Sequence, residues 1–291
     1  MELIESIFKL KDHKTSFKKE ILAGLATFLT MAYIMVVNPA ILSETGMDFD
    51  SVFVATILAS FVACMLMGVL ANWPVALAPG MGLNAFFTYA VVFGMGFTWQ
   101  QALAAVLCSG ILFLLISISP LRAYLINAIP KSLKFGIGAG IGLFLAIIGL
   151  KNAGIVVDNP ATLVGLGDLK SAPVLLALLT FTLMIALDKL KIPGAIVISI
   201  LVTTIIGFIF GVAQFQGVAS SIPSMSPTFM QLDFSSLGSS LFLIVIFTIL
   251  FVDFFDTAGT LTSVANLSGK IDKDGNVENI QKAVFSDSIA T

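Results

Sequence analysis

From Val52 to Leu121 the chain carries no Asp, Glu, Lys, Arg or His, and a second stretch without them runs from Ile192 to Leu232. A bilayer-spanning helix takes about 20 mostly apolar residues, so the first stretch alone has room for three in succession. Water-soluble cores do not need such runs. Charged residues make up 11% of the 291-residue chain, where a soluble domain carries roughly 25%, and the mean hydropathy is +1.04. The apolar stretches are continuous rather than alternating over about 10 residues, which excludes an outer-membrane barrel and leaves an all-α polytopic membrane protein. With 15 Lys+Arg, a net charge of −2 and no long basic run, the partner is a lipid bilayer and not nucleic acid. Cys64 and Cys108 both lie inside apolar runs and read as packing side chains, not as a disulfide or metal site. His13, the only histidine, sits among lysines, so no metal site and no cofactor are expected.

Residues 1–20 mix Leu3, Ile4, Ile7 and Phe8 with lysines, as a cytoplasmic interfacial segment does, and lack the pattern of a secretory signal. Spans follow at Ile21–Leu42, Val52–Ala71, Pro74–Phe93, Trp99–Ser119, Phe135–Leu150, Ala172–Leu187, Pro193–Val212 and Leu237–Ala258, with residues 283–291 opening a ninth. Lys and Arg near span ends stay cytoplasmic. With the N-terminus inside, thirteen of the 15 fall on the inner side, among them Arg122, Lys131, Lys134, Lys189, Lys191, Lys270, Lys273 and Lys282, and only Lys151 and Lys170 fall outside. One miscounted span would break that alternation. The expected location is the plasma membrane, multi-pass, with a cytoplasmic N-terminus.

Two places break the apolar pattern. Span 8, LFLIVIFTILFVDFFDTAGTLT, holds Asp253 and Asp256 three residues apart on one helical face, with Thr257 and Thr260 a turn further on. A carboxylate at bilayer depth costs about 2.5–3.5 kcal/mol even on a lenient scale, so the pair calls for a function: a substrate or proton site. A hydrated position at the cytoplasmic border is the alternative, and it bears more on Asp253. Span 3, WPVALAPGMGLNAFF, gathers Pro74, Pro79, Gly80, Gly82 and Asn84. Pro removes a donor and Gly loosens the helix, so the backbone should be extended or broken around Ala78–Gly82, as in transporters whose half-helices aim backbone amides at a substrate. A proline kink used only for packing is the alternative there. Gly136, Gly138, Gly140 and Gly142 read as close helix packing, and Gly165-Leu166-Gly167-Asp168 as a turn in an external loop.

Four stretches carry a resemblance: GLATFLTMAYIMVVNPAILSETGMD at Gly24–Asp48, APGMGLNAFF at Ala78–Phe87, IPKSLKFGIGAGIGLFLAIIGLKNAGIV at Ile129–Val156 and FVDFFDTAGTLTSVA at Phe251–Ala265. In these the chain resembles the nucleobase/ascorbate transporter superfamily, specifically its AzgA-type hypoxanthine/guanine/adenine permeases. The resemblance implies fourteen spans in two inverted seven-span repeats, with spans 3 and 10 each a short strand followed by a half-helix. It places the first repeat at 21–236 and the start of the second at 237–291, with about eight spans present and truncation in the ninth. It implies a purine nucleobase bound by Asp256 and Thr260 of span 8 and by Gly80, Met81, Gly82 and Asn84 of span 3. A homodimer is compatible with it.

The function expected is secondary active import of a purine by proton symport. The coupling ion is H+, Asp256 accepts purine N–H groups, Asn84 reads purine acceptors, and Asp253 serves the proton step or a gate. Transport of uracil, xanthine or a small anion is the alternative. An intramembrane aspartyl enzyme is remote, because its two carboxylates would come from facing spans. A regulatory fragment that binds a partner permease is a third reading.

Overall fold

The computed structural model describes residues 8–13, 15–119, 131–192, 194–214, 217, 221–268 and 279–290. Met1–Ile7 and Lys14 of the expected interfacial segment, Arg122, Lys270 and Lys273 lie outside the described residues, as do the side-chain surroundings of Lys131, Lys134 and Gly138. The elements in chain order are α1 (Phe17–Met31), α2 (Ile34–Ser43), α3 (Phe49–Leu66, continued as a π-helix over Met67–Ala71) and α4 (Met81–Ala85, continued as a π-helix over Phe86–Gly94). Then come α5 (Trp99–Ile118), α6 (Lys131–Asn152), β1 (Val156–Asn159), β2 (Leu163–Leu166), α7 (Ala172–Lys189), α8 (Ala195–Ile209), α9 (Ser240–Leu267) and α10 (Ile280–Ala290).

Among the described residues, five segments are long and apolar enough to cross a membrane: Phe17–Ser43, Phe49–Ala71, Trp99–Ile118, Ala172–Lys189 and Ser240–Leu261. Shorter apolar helices, Met81–Gly94, Gly142–Asn152 and Ala195–Ile209, stand where the third, fifth and seventh of the eight expected spans were placed. The third is short for a physical reason. Residues 72–80 are not helical, because Pro74 and Pro79 cannot donate to a helix ladder. The expected strand there is an extended segment, without a ladder partner among the described residues. Its backbone polar groups must be satisfied in another way, and Cys64 of α3 does so at Leu77: the Leu77 N–H donates to Cys64 Sγ at 3.2 Å and the thiol donates back to Leu77 O at 3.3 Å. Cys64 is therefore more than the packing residue its apolar context suggested.

The chain forms two compact units. The first comprises residues 1–17, 34–140 and 222–291. Helix α9 organises it. Phe242, Val245, Ile246, Ile249, Leu250, Asp253, Phe254, Thr257, Leu261 and Ala265 recur at helical spacing as its buried stripe, while Leu241, Ile244, Phe247 and Phe251 are exposed. A helix apolar on its exposed face as well suits lipid. Ala102 and Ala105 of α5 pack in one cluster with Phe242 and Val245, and such small residues allow two helices to approach closely. A second cluster joins Phe113 of α5, Phe254 and Leu261 of α9, and Ala283 and Val284 of α10. At the start of α5 a capping box pins the chain: Gln101 N donates to Thr98 Oγ1 at 3.3 Å, and Thr98 N to Gln101 Oε1 at 3.1 Å.

The second unit comprises residues 18–33 and 141–221. Its helices α7 and α8 meet along the buried Ser199, Thr203 and Gly207, and Thr180 Oγ1 donates to Thr203 Oγ1 at 2.9 Å. The segment read as a turn at Gly165–Asp168 is instead partly strand. Gly165 and Leu166 belong to β2, which pairs antiparallel with β1 in the register Val157↔Gly165. Gly167 then passes so close to the chain that a Cβ there would lie 2.0 Å from Gly154 O. Among the described residues nothing lies within 4 Å of a Cβ built on Gly136, Gly140 or Gly142 of α6, so no close helix partner for them is seen there.

Candidate functional site

Within the first unit, the two places singled out by the cost of polar groups in lipid come together. The extended segment 75–80 leads to Gly80, whose backbone (φ −70°, ψ 109°) starts α4, with no side chain capping the first turn. A Cβ placed on Gly80 would lie 3.8 Å from Asp256 Oδ2 of α9. Between these elements opens a cavity of about 450 Å³, lined by residues of α3, the extended segment, α4, α5, α9 and α10. Small-molecule sites occupy roughly 300–1,000 Å³.

Of the expected site residues, Gly80, Asn84, Asp253, Asp256 and Thr260 line the cavity. Met81 and Gly82 do not. Gly80 is the last extended residue, and helical winding from Met81 onward turns the next two positions away while bringing Leu83 and Asn84 round to the wall. Asp253 is 7% exposed, on the buried stripe of α9, and the helix continues past it to Leu267. The Thr260 hydroxyl donates to Asp256 O at 2.8 Å, so what it can offer a ligand is an acceptor. Asn84 Nδ2 donates to Asn38 Oδ1 of α2.

Sequence reasoning missed a third carboxylate. Asp287 of α10 lines the same cavity and accepts a hydrogen bond from Thr257 Oγ1. It was passed over because residues 283–291 counted only as the opening of a span. The signal was an aspartate in the otherwise small and apolar AVFSDSIA. The cavity thus has three carboxylates and, among its lining residues, no Lys, Arg or His. Such a wall favours a ligand that donates hydrogen bonds and disfavours an anion. Among the described residues no group of three His, Cys, Asp or Glu is placed to hold a metal ion.

Comparison with known proteins places the chain. A family model described as the permease family matches residues 18–291. A protein of Methanocaldococcus jannaschii named as a permease is 47% identical over 100% of this chain and 67% of its own length. The adenine permease AdeP of Escherichia coli is 42% identical over 99% of this chain and 65% of its own. The guanine/hypoxanthine permease PbuO of Bacillus subtilis is 44% identical over 98% and 67%. The chain spans about two thirds of the length of these curated relatives. With a family match over nearly all of its residues, and the carboxylate helix and broken helix meeting at one cavity, the chain belongs to the permease family, within the nucleobase/ascorbate transporter superfamily whose motifs it carries.

Proposed function

We propose that this chain forms the substrate-binding portion of a secondary active transporter importing purine nucleobases, with Asp256 as the main ligand of the base. The observation that carries this is the approach of Gly80 to Asp256 Oδ2 at the cavity. A glycine there leaves room for a flat ring to reach the carboxylate, which accepts ring N–H and exocyclic amine donors. The uncapped first turn of α4 offers backbone N–H groups to acceptors on the same ring. The adenine and guanine/hypoxanthine permease names of the relatives support a purine over other nucleobases. The absence of a cation among the lining residues argues against a small anion. The permease family match and the permease names of the relatives argue against an aspartyl enzyme.

Coupling is to H+. Asp253 and Asp256 lie on adjacent turns of α9 and both line the cavity, so one carboxyl can hold the proton while the other accepts from the base, and the two cross together. Alternating access follows from rocking the segment that holds α4 and α9 against the remaining helices. The transporter has the inverted seven-plus-seven-span fold, with residues 21–236 as its first repeat, 237–291 beginning the second and 1–20 on the cytoplasmic side. It lies in the plasma membrane, where a homodimer is its assembly.

The test is labelled hypoxanthine and adenine uptake by the protein expressed from its natural gene in cells that lack their own purine uptake. Asp256→Asn should lower uptake about thirtyfold, the equivalent of ~2 kcal/mol for a hydrogen bond to a charged group. Unlabelled purines should compete, and pyrimidines and sulfate should not. Collapse of the pH gradient should abolish accumulation. Undiminished uptake by Asp256→Asn would refute the assignment. Loss in Asp253→Asn with Asp256→Asn intact would move the ligand role one turn along α9.

A further inference from the structure

Four hydrogen-bonding groups run in series from the interior of α3 to the cavity wall. Thr56, 3% exposed, donates its single hydroxyl proton to Val52 O at 2.7 Å. Toward Asn38 it is then only an acceptor, and Asn38 Nδ2 donates to it at 2.8 Å. Asn38 is also 3% exposed. With its amide nitrogen turned to Thr56, it turns Oδ1 to Asn84, whose Nδ2 donates to that oxygen. A carboxamide carries its donors on one fork and its acceptor on the other. Polarity is therefore handed along the series: Asn84 gives one of its two Nδ2 protons to Asn38, which turns its nitrogen fork toward Asn38 and leaves its carbonyl fork as the acceptor for the cavity that it lines.

The geometry points to Thr56 and Asn38 as positioning residues that fix the ligand-facing polarity of Asn84, and thereby the hydrogen-bond pattern the cavity accepts. The identity of the ligand rests on the nucleobase reading above; the relay itself does not. Its consequence reverses the role expected of Asn84, which accepts from a ligand donor instead of reading a ligand acceptor.

The strength of the lock can be worked from the bonds. In the reversed series Thr56 donates to Asn38 and Asn38 donates to Asn84, so both side-chain bonds survive. Only the bond from Thr56 to Val52 O is given up. The preference for the observed direction is one net hydrogen bond, which corresponds to about a fivefold ratio, ~1 kcal/mol. Replacing the hydroxyl by a methyl leaves Asn38 facing an apolar neighbour in either direction, and the preference disappears.

Adenine and hypoxanthine present opposite polarity along one edge: an amine donor beside a ring acceptor in the first, a carbonyl acceptor beside a ring N–H in the second. The ratio of their inhibition constants for labelled guanine uptake, measured on the protein expressed from its natural gene, reads the lock. Thr56→Val should move that ratio about fivefold, and Thr56→Ser, which restores the hydroxyl, should return it to the value of the unaltered protein. If Thr56→Val does not accumulate in membranes, Thr56→Ala takes its place.

A second measurement needs no ligand. Thr56→Val and Asn84→Ala, combined, should shift the melting temperature in detergent non-additively, and the non-additivity should vanish in an Asn38→Leu background. An unmoved inhibition ratio with uptake intact, a ratio moved equally by Thr56→Ser, or additive melting shifts with Asn38 present would each overturn the relay. No purine uptake by the unaltered protein, with melting coupling intact, would overturn the nucleobase reading and leave the relay standing.

Discussion

Replacing Cys64 by alanine tests how the extended segment is held at the cavity. In the native chain one thiol serves both polar groups of Leu77, accepting from N–H at 3.2 Å and donating to C=O at 3.3 Å. A net intramolecular hydrogen bond contributes about 0.5–1.5 kcal/mol, and a buried group left without a partner costs about 1–3 kcal/mol. Cys64 is half-buried and sulfur is a weak partner, so the two bonds together should amount to ~2 kcal/mol, near the lower end of what full burial would give. That corresponds to about a thirtyfold change in how strongly the segment prefers its observed path.

The segment ends at Gly80 beside Asp256, so a fraction of molecules with it displaced lowers apparent affinity by that fraction. Cys64→Ala should raise the KM for purine uptake and lower the melting temperature in detergent by several degrees, with kcat less affected. Cys64→Ser should recover only part of the loss: the C–O bond is shorter than C–S, and O–H···O bonds want about 2.5–3.0 Å. Wild-type KM and melting temperature in Cys64→Ala would refute the argument. Full recovery in Cys64→Ser would refute the bond-length part of it.

Two further perturbations address the framework. Ser51 donates to Asp48 through its N–H at 2.8 Å and through its hydroxyl, and these bonds hold the Asp48 carboxyl below the usual carboxylate range. A carboxyl whose folded value is depressed contributes its stability in full above the unfolded value near 3.9 and loses it as pH falls through the lower folded value; Asp48→Asn, which still caps α3, should flatten the acid limb of a melting-temperature profile, and an unchanged limb would count against it. Gly167→Ala would put a methyl 2.0 Å from Gly154 O, so the β1–β2 hairpin must shift; amide exchange over residues 156–166 should accelerate, and unchanged exchange would show that the close approach is not obligatory.

How much was legible in the sequence follows from which forces act locally. That the chain crosses lipid several times could be read because lipid imposes its demand on every residue of a run, as in the absence of charge from Val52 to Leu121. The broken helix could be read because Pro74 and Pro79 act on their own backbone. Asp253 and Asp256 stood out because a charge among apolar neighbours is conspicuous wherever the rest of the chain goes.

What only the tertiary structure decided is which of these features meet, and through whom. Nothing in the local pattern says that Gly80 lies beside Asp256, that Asp287 joins the same cavity, or that Met81 and Gly82 turn away from it. Cys64 reads from the sequence as a packing side chain, and nothing in the local pattern marks Asn38 or Thr56. Apart from the local bond of Thr56 to Val52 O, their hydrogen-bond partners lie between 13 and 46 residues away along the chain, and become visible only once helices from distant segments pack. The physical reason is that solvation by lipid is a one-body demand on each residue, whereas the polarity and shape of a binding site are pairwise properties that exist only after the helices are in contact.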